Sequence, residues 1–263
     1  MERIRRLALK VTGIELLPRH CEVMERRCKR LGIRDDAGLD ALLDAVDRGD
    51  AEARGRLIGL LTTNVSAFFR HPRPFDIAAE HALWAAHQRG TARLWSAAAS
   101  TGDEPYSLAM SLIDVFRRDD PPVTILATDI DEHALAIARR GEYAEAALTT
   151  LPPRFRERFF TATDSPGRWR VAPPIRSLVE FSALNLVDST WPVAGPLDVV
   201  FCRNVLMYLE DGRRVTVLER MALLLAPEGL LILDPAEHLG RAGPLFARGT
   251  NGVHTRKRTH DNR

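Results

Sequence analysis

LWSAAASTGDEPYS, residues 94–107, decides how this chain folds. Arg93–Ser96 has strand character and runs into a turn of small residues. A helix then opens at the acidic pair Asp103–Glu104, with Pro105 just behind. A strand ending in small residues lets a ligand approach the backbone closely, and a helix N-terminus with unpaired N–H groups follows it. That is the layout of a nucleotide-type pocket at the carboxyl edge of a parallel sheet. The acid is the unusual part. A phosphate is repelled by a carboxylate at this point, whereas a cationic group is held by it. An amino-acid-bearing nucleotide such as S-adenosylmethionine, with its α-ammonium and sulfonium, meets that demand better than ATP or NAD.

The flanking chain supports the same sheet. Val123–Thr128 reads as a strand ending in Asp129, and Asp131–Arg140 as a helix stopped by Gly141. Leu178–Leu184 leads to Asn185, and the apolar strand Asp198–Phe201 leads to Arg203–Asn204. His81–Arg89, Pro152–Phe160 and Arg213–Leu225 read as helices, the last ended by Pro227 and Gly229 before a strand at Leu230–Leu233. A final hairpin pairs Pro244–Arg248 with Gly252–Thr255. Alternating helices and continuous apolar strands predict a parallel sheet covered on both faces. Residues 1 to about 75 differ. Their apolar residues recur at three and four, as in Ile4, Leu7, Val11 and Ile14, so this region reads as helical. Asp50 is placed to cap a helix over Ala51–Leu61. Pro72 and Pro74 mark a break, which puts Arg70 near a domain junction.

The polar residues fall at strand ends, and each admits two readings. Asp129, about 25 residues past the turn, suits a pair of ribose hydroxyls or a helix cap, a task Asp131 can also perform. Asn185 beside the Leu186 N–H suits an adenine edge or a turn. Glu104 suits an ammonium group, yet Thr101–Glu104 also matches a capping box. Four successive strand ends carrying the groups an adenosine amino acid needs favour a binding site.

Composition narrows the class. The chain has 263 residues, 45% hydrophobic and 27% charged, with a net charge of +2. These values fit a globular chain with a real core; the net charge argues neither for nor against nucleic acid, and no nucleic-acid partner is expected. Three cysteines, Cys21, Cys28 and Cys202, form no CxxC and no zinc-spaced cluster, so no metal is expected and a reducing cytoplasm fits. The N-terminus lacks a signal-peptide core, and no apolar run is long enough to span or insert into a membrane. Charge concentrates locally instead. Arg26, Lys29 and Arg30 share one helical face, either a solvated face or a docking stripe for an acidic partner.

Taken together, TTNVSAFFR (62–70), LWSAAASTGDEPYSLAM (94–110), ATDIDEHALAIARRGEY (127–143), FSALNL (181–186), LDVVFCRNVLMYL (197–209) and LAPEGLLIL (225–233) resemble the CheR family, the chemotaxis protein-glutamate O-methyltransferases. The resemblance covers nearly the whole chain. It implies a class I, Rossmann-like methyltransferase domain over 74–263, an all-α domain over 1–73 and a small β-subdomain inserted around 160–178. It implies S-adenosylmethionine as methyl donor and S-adenosylhomocysteine as product. Asn64, Ser66 and Arg70 would close over the donor from the helical side, with Arg70 on the methionine carboxylate. Glu104 would hold the α-amine, Asp129 the ribose, and Asn185 with Leu186 the adenine. Arg203 and Asn204 would line the methionine end, while Tyr208 and Arg203 would orient the substrate; no acid or base catalyst is needed. Arg26, Lys29 and Arg30 would dock the acidic helical cytoplasmic region of a chemoreceptor-like protein, with the enzyme acting as a monomer. Two alternatives stand beside this: a same-fold enzyme with a different acceptor, and a non-catalytic module that binds the same donor. Departures occur as well. Asp234–Pro235–Ala236–Glu237 stands where the family has Gly-His-Ser-Glu, and His254 replaces a late Tyr. Both are expected to lie away from the methyl-donor residues.

Overall fold

The computed structural model describes residues 2–17, 21–33 and 35–257, without the side chains of 21–23 and 30. Four helices come first: α1 (Glu2–Thr12), α2 (Cys21–Arg30), α3 (Asp36–Asp47) and α4 (Ala51–Leu61). Their apolar faces meet around Ile4, Leu7, Met24, Leu43, Leu57 and Leu60, a core separate from those on the sheet. Asp50 caps α4 as its position predicts, accepting the Ala53 N–H at 2.8 Å. From Thr62 to His71 the chain leaves helical structure and forms a strap. Phe68 pins it, buried edge-on against Tyr143 and Phe160. Helix α5 (Arg73–Arg89) then starts well before His81. Pro72 and Pro74 sit at its entry, where a missing N–H costs nothing, so they begin a helix as well as ending the strap.

The remaining elements are β1 (Ala92–Ser96), α6 (Asp103–Phe116), β2 (Val123–Asp129), α7 (Glu132–Arg140), β3 (Glu142–Ala144), α8 (Pro153–Phe159), β4 (Phe160–Ala162), β5 (Arg168–Val171), α9 (Pro173–Arg176), β6 (Val179–Ala183), β7 (Leu197–Phe201), α10 (Asp211–Leu224), β8 (Leu225–Ile232), β9 (Phe246–Arg248) and β10 (Val253–Arg256). Seven strands form one sheet in the order β6-β2-β1-β7-β8-β10-β9. The first five are parallel, and β10 and β9 add on antiparallel. This is the doubly wound, mostly parallel sheet that the resemblance implies. Alternate residues of β1 point to opposite faces, Leu94 into the core shared with α5 and α6, Trp95 into the core shared with α10. The direction of winding reverses between β1 and β7, and a crevice opens there at the carboxyl ends of the strands.

Two boundaries differ from the sequence reading. The small sheet, ordered β3-β5-β4, reaches back to Glu142, ahead of the expected 160–178 stretch. Strand β8 follows α10 directly and takes in Pro227 and Gly229, which were read as helix-ending signals. The pairing with β7 slips between Leu197 and Val199, so the proline lies where the ladder is irregular.

Gly102, at the mouth of α6, has φ 94°, and a Cβ there would lie 2.8 Å from the Tyr143 hydroxyl and 2.9 Å from the Ala138 side chain. Gly102→Ala should therefore lower folding stability by about 2–4 kcal/mol through backbone strain and overpacking, read as a fall in the thermal midpoint.

Candidate active site

The crevice is an open cleft between the strap, the strand ends and the loop after β7. Asn64, Ser66 and Arg70 reach it from the strap, Glu104, Asp129, Asn185 and Leu186 from the sheet edge, and Arg203, Asn204 and Tyr208 from the β7 loop. The structure thus brings all of these residues to one cavity.

At one end, Glu104 accepts the Ser96 hydroxyl at 2.9 Å and pairs with Arg203 at 3.3 Å. Burial pushes the Glu104 pKa up, and Arg203 and Ser96 oppose that shift. No capping box forms. Gly102 occupies the cap position without a side-chain bond, and the Thr101 hydroxyl donates to Asp103 at 2.6 Å. Asp103 is buried, bonded also by Ser66, and does not line the cleft, so Glu104 is the acid presented there. Arg203 is only 4% exposed. Besides Glu104, it donates to the Arg70 carbonyl at 2.9 Å and lies 4.0 Å from Asp234. The expectation that it orients a substrate carboxylate meets a guanidinium already committed to these partners. The Arg70 side chain is exposed at the cleft and has no acidic partner among the described residues.

At the other end, Asp129 accepts the N–H groups of Ser100 at 2.8 Å and Asp131 at 2.9 Å, and burial raises its pKa. Asp131 performs the capping of α7 that was the rival reading for Asp129, accepting from His133 and Ala134. Its other oxygen accepts Thr62 at 3.0 Å and the Asn64 amide at 2.7 Å. Asn64 is therefore a latch between strap and sheet, and Asp131, which sequence reasoning left as a cap, is its anchor beneath the cleft. The signal for it was a second acid two places past the strand end. Asn185 corrects its expected role in part. Its amide donates to the Val11 carbonyl at 2.9 Å and to Asp188 at 3.1 Å, and its oxygen accepts the Val187 N–H at 3.3 Å. The turn reading describes its side chain, although the residue lines the cleft.

The segment 234–237 is not remote from the site. Glu237 accepts the N–H groups of Asn204, Val205 and Leu206, and Asp234 faces Arg203. His254 does lie apart, buried in β10 opposite Leu231. On α2, Arg26 and Lys29 are exposed, while the Arg30 side chain lies outside the described residues. Arg27, not singled out beforehand, donates to the Leu60 carbonyl at 2.9 Å and to Thr63, which lines the cleft.

Among the described residues, no helix is long and apolar enough to cross a membrane. Residues 64–248 match the family described as CheR methyltransferase, SAM binding domain. The chain is 37% identical over 93% of its length to chemotaxis protein methyltransferase 2 of Pseudomonas aeruginosa, of which it covers 88%. It is 40% identical over 81% of its length to the chemotaxis protein methyltransferase of Salmonella typhimurium, covering 73% of that chain. The Escherichia coli protein of the same name is 36% identical over 90% of this chain, with 83% of its own length covered. With the family match and relatives of this identity over most of its length, the chain belongs to the CheR family of S-adenosylmethionine-dependent methyltransferases.

Proposed function

We propose that this enzyme transfers a methyl group from S-adenosylmethionine to glutamate side chains of a chemoreceptor-type protein, forming methyl esters. The observation that carries the reading is the charge layout of the cleft. The largely buried carboxylate of Glu104 faces it at one point, and the exposed guanidinium of Arg70 at another. A ligand with an ammonium and a carboxylate on one carbon complements both. Asp129 at the β2 edge suits the ribose, and the apolar Leu186 suits the flank of the adenine. Asn64 and Ser66 hold the strap down through Asp131 and Asp103, keeping water from the reacting end.

When bound, the donor supplies an electrophilic methyl on its sulfonium. The chain has little proton chemistry to perform, because a glutamate with a pKa of about 4.3 is ionised at neutral pH. Its contribution is alignment, which can amount to roughly 7–11 kcal/mol in favourable cases. Tyr208, half-buried at the cleft, is the group placed to orient the incoming carboxylate. Arg26, Lys29 and Arg30 on α2 serve the acidic helical partner, and residues 1–73 form the helical domain that carries them.

With tritiated methyl donor and receptor-bearing membranes of the source organism, label should enter receptor bands and leave as methanol in alkali, since methyl esters hydrolyse there. Alkali-stable label would overturn the ester assignment. An Arg26→Glu, Lys29→Glu pair should abolish transfer at moderate salt and leave S-adenosylhomocysteine affinity unchanged. Tyr208→Phe should lower kcat about tenfold or more and change that affinity less than about twofold, from loss of one bond to a charged group.

The raised Glu104 pKa has a sign. Below it the free enzyme holds a proton on Glu104, and an ammonium ligand requires the ionised form. Binding of S-adenosylhomocysteine should therefore release protons in mild acid and weaken as pH falls. Calorimetry in two buffers of different ionisation enthalpy reads this, and Glu104→Gln should remove that share of the release.

A further inference from the structure

Glu237 belongs to none of the motifs tied to the cleft and does not line it. Its carboxylate is nonetheless the fixed point of the loop that does. It is 9% exposed. One oxygen accepts Val205 and Leu206 at 2.9 Å each. The other accepts Asn204 at 3.0 Å and Asp234 at 3.1 Å. After β7 the chain leaves the sheet, so its N–H groups lose their strand partners and need another acceptor. Asn204 adopts φ 58°, a left-handed conformation that a non-glycine residue holds only when its surroundings enforce it. Successive N–H groups converging in this way form an anion-binding nest. Here a carboxylate of the same chain, 31 residues beyond Leu206, fills it. The turn that results, Leu206–Tyr208, carries Tyr208 into the cleft, and Asn204 lies at its start. The Asn204 side chain also favours the ionised form of Asp234.

We propose that Glu237 is a positioning residue for methyl transfer: by holding the backbone of 204–206 it sets Asn204 and Tyr208 at the end of the cleft that receives the donor's amino-acid portion. This rests on the donor placement proposed above. The effect should be confined to that end. Asp129 and Leu186 belong to the β2 and β6 edges, with β1 standing between them and β7. An amide at 237 has one acceptor oxygen and an NH₂ that would oppose the loop's own donors, so it cannot satisfy the same four N–H groups.

The test compares two ligands, S-adenosylhomocysteine and 5′-methylthioadenosine, which keeps the nucleoside and lacks the amino acid. In Glu237→Gln, S-adenosylhomocysteine affinity should fall about tenfold or more, and methylthioadenosine affinity should stay within about twofold. Both unchanged, or both weakened by the same factor, overturns the proposal. Should Glu237→Gln not fold, Glu237→Asp keeps the charge and loses reach. It should show the same selective loss at smaller size, and an equal loss for both ligands again overturns the proposal. Wild-type enzyme that binds neither ligand would instead remove the donor placement itself, and the positioning role with it.

Discussion

The buried guanidinium of Arg203 joins four separate segments of the chain. It stands at the end of β7, pairs with Glu104 at the start of α6, holds the Arg70 carbonyl of the strap and faces Asp234 after β8. Phe75 of α5 lies under it, ring centroid 5.8 Å away. Removing a partner from such a set leaves an uncompensated buried charge, which is why it acts as a unit. The pair is also unequal. Desolvation raises the pKa of both Glu104 and Glu237, and the charge of Glu237 adds to the rise at Glu104. Arg203 is the buried cation among these acids, an arrangement that leaves room for a cationic ligand beside Glu104.

The strap shows how a segment with no regular structure is held. Ordering ten residues costs backbone entropy on the order of 1–2 kcal/mol each, and the strap has no ladder to offset it. Its anchors are individual. Thr62 and Asn64 bond Asp131, Ser66 bonds Asp103, the Phe69 N–H bonds Ser107 at 2.9 Å, and Thr150 bonds the Phe68 carbonyl at 3.1 Å. Phe69 and His71 adopt left-handed φ values of 52° and 55°, tolerated because Phe68 and Phe69 are packed on either side of the turn. The same tight course leaves the Arg70 side chain exposed at the cleft and its carbonyl turned to Arg203.

Strand ends were legible because sheet topology makes them so. Any polar group at the carboxyl end of β1, β2, β6 or β7 arrives at one edge, whatever its exact partner. Partners were less legible, since they depend on distant backbone. Asn185 donates to a carbonyl of α1, 174 residues away, and nothing in FSALNL encodes that. Glu237 looked like part of a departure from the family pattern, but the four N–H groups it accepts become neighbours only when β7 and β8 pair. Pro227 read as a signal ending the helix before it, yet it lies inside β8, where the irregular pairing with β7 tolerates a proline. Strand β3 was missed for another reason. Three residues are too short for a periodic pattern, and its pairing with β5 decides its state.

The cleft sets two demands that pull in opposite directions. Its buried acids attract a cationic donor, and by the same Coulomb term they repel a carboxylate acceptor approaching along the same path. In the proposed reaction the acceptor is a glutamate of an acidic helix, so attraction has to come from outside the cleft. The helical segment is where that charge stands. Arg26 and Lys29 are exposed on α2, and Arg27 from the same helix borders a second cavity with Met24, Thr63 and Tyr208. Thr63 and Tyr208 also line the main cleft, so the two spaces adjoin at Tyr208. At 0.15 M salt the Debye length is about 8 Å, so only cations near the mouth offset the repulsion. This gives the bond between the two parts of the chain a functional reason. The Glu15 N–H donates to the Tyr208 carbonyl at 2.8 Å and the Arg213 guanidinium to Leu9 at 2.6 Å, tying α1 and the segment after it to the β7 loop and α10.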